Sequence, residues 1–72
     1  MGGRRQAILN ALTAQMPRHT FSSPVPVVVR IVWERDGEEY IQTVALAWTG
    51  RDGYVRMPDR RYRFTACWLR AT

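Results

Sequence analysis

Seventy-two residues make one domain and leave no room for a second core, because a chain this short buries only about 60% of the surface it exposes when unfolded. Apolar residues make up 46% of it, with three Trp, three Tyr and two Phe, which excludes a disordered chain. The eleven charged basic residues are all arginine, against six acidic ones, giving a net charge of +5 that attracts polyanions or acidic protein surfaces; the complete exclusion of lysine is a mark of GC-rich coding.

The first element in chain order is an amphipathic helix. Ile8, Leu9, Leu12 and Met16 recur at three- and four-residue spacing, which predicts a helix over 4–16, ended by Pro17. Asn10, Thr13 and Gln15 interrupt Ala7 to Met16, so this is not a signal-peptide core. The stretch 17–26, with three prolines and Ser22-Ser23, reads as a linker.

Val27 to Arg35 is rich in β-branched residues and reads as a strand, followed by Asp36-Gly37 and a second strand from Glu38 to Trp48. A two-residue type I′ turn at Asp-Gly would pair Arg35 with Glu38, Trp33 with Tyr40, Ile31 with Gln42, Val29 with Val44 and Val27 with Leu46. That register collects Trp33, Ile31, Tyr40, Val44, Leu46 and Trp48 on one apolar face. Thr49 to Gly53 is a second turn cluster, Tyr54 to Met57 a short third strand, and Pro58 to Arg61 a third turn. Tyr62 to Arg70 alternates as a fourth strand. The expected fold is therefore α+β and mainly β: an N-terminal helix on a four-stranded antiparallel meander at 27–70, curled by its twist into an SH3-like, partly open barrel.

The run Val32-Trp33-Glu34-Arg35-Asp36-Gly37-Glu38-Glu39-Tyr40, then Thr43-Val44-Ala45, Tyr54-Val55-Arg56-Met57 and the closing Trp68-Leu69, resembles the cadence of Tudor-like and other SH3-like small barrels over residues 27–70. That resemblance implies an aromatic cage for a methylated ammonium at Trp33, Tyr40 and Tyr54, with Asp36 or Asp52 as acidic partner. The short, arginine-only composition also resembles that of small accessory proteins of actinobacteria and their phages.

Catalytic chemistry finds little footing. His19 is the only histidine and lies in the Pro-rich stretch, where a solvated or capping role is expected. Cys67 is the only cysteine, which excludes an intramolecular disulfide and suits a reducing, cytoplasmic setting. Inside a strand it reads as a buried, inert thiol. Glu38 and Glu39 are adjacent on a strand and point to opposite faces, so they form no carboxylate pair. No metal site and no cofactor are expected, no run of apolar residues is long enough to span a membrane, and an enzyme is not expected.

The remaining signal is arginines interleaved with tyrosines around the later turns: Arg51, Tyr54, Arg56, Arg60, Arg61, Tyr62 and Arg63. Guanidinium forks suit phosphate and tyrosine rings suit base stacking, so this edge is expected to bind nucleic acid. The alternative expectation is a protein-interaction module, docking on an acidic protein surface or forming a homodimer through a sheet edge or the N-terminal helix.

Overall fold

The computed structural model describes residues 5–70. They form a single antiparallel sheet of four strands, β1 (His19–Trp33), β2 (Gly37–Thr49), β3 (Asp52–Arg56) and β4 (Ala66–Arg70), in the order β1-β2-β3-β4. The meander is as the turn signals predict. Val27 to Val32 commits the chain to extended backbone, and the strand reaches back to His19, through the segment expected as a linker.

The expected N-terminal helix is absent: among the described residues the protein is all-β, and Arg4, where that helix would open, lies outside them. A helix of about a dozen residues is marginal in water, whereas a four-stranded meander has two edges of unpaired amides and carbonyls. The N-terminal segment serves both edges. Ala7 O accepts from Glu34 N and Leu9 N donates to Val32 O, which pairs the segment with β1. A tight turn, closed by Ala11 N to Ile8 O, then redirects the chain so that Leu12 N donates to Trp68 O on β4. In the turn the Asn10 side-chain amide donates to Arg30 O and accepts from Val32 N, standing in for one residue of an extra strand. Burial follows: Ile8 enters the core, while Leu9 is 62% and Met16 86% exposed, a division no helical face would make.

The β1–β2 hairpin also departs from the expected register. Trp33 pairs with Gly37, Ile31 with Glu39, Val29 with Ile41 and Val27 with Thr43, three residues away from the type I′ pairing. A type I′ turn needs positive φ at both Asp36 and Gly37, and only Gly37 has it, at 78°. The loop is instead Glu34-Arg35-Asp36, closed by the left-handed glycine. An odd shift exchanges the faces of β2. Ile41 and Ala45 turn inward toward Ile31 and Trp33, and Tyr40, expected inside, is 63% exposed. The β2–β3 turn is Gly50-Arg51, with positive φ at Gly50 alone, the signature of a type II′ turn.

Ile31 and Trp33 are the largest fully buried side chains, and each contributes about 2–3 kcal/mol by leaving water. Around them pack Ile8, Ala45, Val55, Met57, Cys67 and Leu69. The expected fourth strand is shortened to Ala66–Arg70. Residues 57–65 form an irregular loop, tied at its mouth by Met57 N to Thr65 O.

Candidate functional site

Arg61 organises the loop 57–65. Its guanidinium bonds Asp59 through Nε and NH2 at 2.9 and 2.6 Å, Asp36 through NH1 at 3.0 Å and Glu39 through NH2 at 2.7 Å. Its Cζ also lies 4.2 Å from the Trp33 ring centroid, so the indole face is taken by a cation of the chain itself. The Trp33 indole N–H donates to the same Glu39 carboxylate. Gln6 completes the junction: its backbone N donates to Arg61 O, its side-chain amide donates to Asp36, and its Oε1 accepts from Arg35 N and Asp36 N. The Gln6 amide and then Arg61 hold the Asp36 carboxyl below its ordinary pKa, Arg61 does the same to Asp59, and Asp59 most of all holds the Arg61 guanidinium above its own.

Arg61 is thus spent on architecture, and the charge inventory shows which arginines are not. All six aspartate and glutamate carboxylates stand in ion pairs, with Arg30, Arg35, Arg61 and Arg70. Among the described residues, Arg5, Arg18, Arg51, Arg56, Arg60 and Arg63 have no carboxylate in ion-pair reach. Among the described residues, the excess positive charge therefore sits on exposed side chains with no carboxylate partner.

Three of these lie around the anchored loop. Arg60 and Arg63 flank Arg61 in sequence, and Arg63 lies 5.2 Å from the centroid of Phe64. Phe64 is 57% exposed and meets Tyr62 edge-on at 5.6 Å. Tyr62 in turn packs against the core, where burial raises its phenol pKa, so it braces Phe64 from below. Between this loop and the N-terminal segment runs a groove of about 380 Å³, walled by Arg5, Ala7, Ile8, Tyr62, Arg63 and Phe64. Phe64 and Arg5 are the members that sequence reasoning missed. The alternation from Tyr62 to Trp68 imitates a strand and assigns Phe64 an inward face; the signal against it is an aromatic set directly after Arg60-Arg61-Tyr62-Arg63.

The remaining expected site residues are not in this group. Tyr54 lies on the outer side of β3 against Trp68, ring centroids 5.2 Å apart, and lines a shallow hollow together with Arg56. Arg51 is in the turn at the other end of the sheet. Nor are the three cage aromatics brought together. Trp33 is 1% exposed under Arg61, Tyr40 pairs with Arg30 on the opposite face, and Tyr54 keeps to Trp68. Of the acidic partners expected with them, Asp36 is bound by Gln6 and Arg61, and Asp52 by Gln15 and Arg70.

The sheet edges bear on a homodimer. Arg30 O and Val32 N face outward to Asn10, so the even residues of β1 point away from β2. Pro26 falls on that outward series, where a missing N–H costs the β1–β2 ladder nothing and removes a donor from the free edge. No helix among the described residues is long and apolar enough to cross a membrane. No family model, no curated protein and no solved structure matches this chain.

Proposed function

We propose that this chain is a non-enzymatic module that binds a nucleic-acid strand at the loop 57–65. The observation that carries this reading is an exposed Phe64 lining a groove with Arg5 and Arg63, with the exposed Arg60 in the same loop, none of the three arginines being neutralised by a carboxylate. Guanidinium groups displace the counterions of phosphates, which supplies affinity without reading sequence. An unpaired base offers its face to Phe64, a contact worth about 1–3 kcal/mol. Arg61 contributes indirectly, by fixing on Trp33 the loop that carries the exposed Arg60 and Arg63. The two nucleophile or base candidates support a non-enzymatic reading: Cys67 is buried with its thiol pushed up to about 11, and His19 is at the opposite end of the sheet. Docking through a sheet edge draws less support, since the N-terminal segment, Asn10 and Pro26 occupy or blunt β1.

Fluorescence anisotropy with a labelled oligothymidylate of about four nucleotides, titrated at low salt, tests the reading. With three arginines engaged, log K should fall against log salt with a slope of about −2. Phe64→Ala should weaken binding at this loop about tenfold, and joint Arg60→Glu and Arg63→Glu changes should abolish binding at this loop with the fold intact. Absence of binding at low salt, or a charge-reversed variant that binds as the parent does, overturns it.

A further inference from the structure

We infer that a second stacking platform lies at the other end of the strands, formed by His19, Phe21 and Trp48 with Arg18 and Arg51 at its rim, and that a single nucleic-acid strand of sufficient length engages both ends at once. This rests on the reading of the loop 57–65 given above. His19 stands 5.9 Å from Phe21, edge-on, and 5.9 Å from Trp48, so three rings gather where β1 begins and β2 ends. They are not there to fill the core. Trp48 is 39% exposed, His19 is exposed, and Phe21 alone touches the buried cluster.

Contiguous exposed apolar surface rimmed by polar residues is a feature of interaction sites. Its rim carries the matching charge. The Arg18 backbone N donates to Trp48 O, which fixes the Arg18 backbone against that of Trp48, and Arg51 is in the turn directly after β2. Neither arginine has a carboxylate in ion-pair reach, while Asp52, the nearest acid in sequence, is held by Gln15 and Arg70. Cationic side chains without partners beside open rings favour a ligand that is itself both anionic and aromatic, which single-stranded nucleic acid is. Duplex DNA hides its base faces and cannot use the rings.

The two platforms are separated by the length of the β1–β2 hairpin. Trp33 and the loop 57–65 are at one end; His19, Trp48 and Arg51 are at the other. The molecule measures 38 Å along its longest axis. At about 3.4 Å per stacked nucleotide, on the order of ten nucleotides bridge that distance. A strand that spans both ends gains by effective concentration as well as by contact.

The test is stoichiometry and affinity against oligothymidylate length, by calorimetry and anisotropy, for the parent, Trp48→Ala, Phe64→Ala and an Arg18→Glu/Arg51→Glu variant whose changes lie outside the core. Two short oligonucleotides per chain, one long one, and at least a hundredfold tighter binding of the long one are expected. Trp48→Ala and Arg18→Glu/Arg51→Glu should each leave one short site and cancel most of the gain with length. One short site in the parent, with both far-end variants unchanged, overturns the second platform and leaves the loop reading standing. Two sites in the parent of which Phe64→Ala removes none, or short binding that only Trp48→Ala destroys, overturns the loop reading and with it the bridge. Capture of anionic phospholipid vesicles with no affinity for any oligonucleotide overturns both.

Discussion

The two ends of the sheet are built from the same three residue types and put them to different use. At one end Asp36 of the β1–β2 turn is held by Gln6 of the N-terminal segment and by Arg61. At the other, Asp52, the first residue of β3 after the β2–β3 turn, is held by Gln15 of that segment and by Arg70. Each glutamine pins the N-terminal segment to a turn, which is how an extended stretch with few bonds of its own stays in place. The difference lies in the arginine. Arg61 bonds three carboxylates from separate parts of the chain and covers Trp33, whereas Arg70 bonds Asp52 alone and is 63% exposed. An Asp–Gln–Arg set becomes a keystone only where a buried aromatic and further acids converge on the same guanidinium.

The widest contrast is between the tryptophans of the two ends. Trp33→Ala should cost about 3–5 kcal/mol, which for a domain this small leaves little or no folded protein, while Trp48→Ala should cost under about 1 kcal/mol. Urea denaturation followed by circular dichroism reads both, and equal losses would break the comparison. Second in size is the effect of the arginines at low pH. Asp36, Asp59 and Asp52 all have carboxyl pKa values below their ordinary 3.8 in the fold, so the stability they supply is full above that value and is lost as pH falls through the lowered ones. Arg61→Gln withdraws the cation from two of them and Arg70→Gln from one, so melting temperature measured down to about pH 2 should lose its acid limb more in the Arg61 variant. Identical acid limbs would mean that the two ends are equivalent.

The smallest effects belong to the turns. Gly37 and Gly50 both have positive φ, and a Cβ at either meets nothing within 4 Å. Alanine there pays only for backbone strain, about 1–2 kcal/mol, and the two losses should agree. A larger loss at Gly37 would show that the hairpin loop also bears the strain of the Arg61 junction. Cys67 offers an internal check on all these variants: burial pushes its thiol up to about 11, so it should resist thiol reagents near neutral pH until the sheet opens.

The strands were readable where composition left one option. Val27 to Val32 cannot be mistaken, and the turns at Gly37 and Gly50 announce themselves by residue type. The N-terminal segment misled because Ile8, Leu9, Leu12 and Met16 satisfy a helical spacing that only the unfilled edges of β1 and β4 argue against. The register misled because Asp-Gly permits more than one turn, and the choice is made by the φ of Asp36 and the bonds Gln6 accepts from the loop amides. Arg60, Tyr62 and Arg63 were legible as a basic, aromatic stretch, but nothing local distinguishes Arg61 from its neighbours.

The sequence by itself determined a one-domain, arginine-rich chain with strands joined by tight turns, because β-branched runs and glycines act through their own backbone. Tertiary structure alone decided which arginine is locked and which are free, which face of β2 is inside, and that the N-terminal segment lies along the sheet as extended chain. Those outcomes depend on residues as far apart as Gln6, Asp36 and Arg61 meeting in space, and no local rule counts such partners in advance.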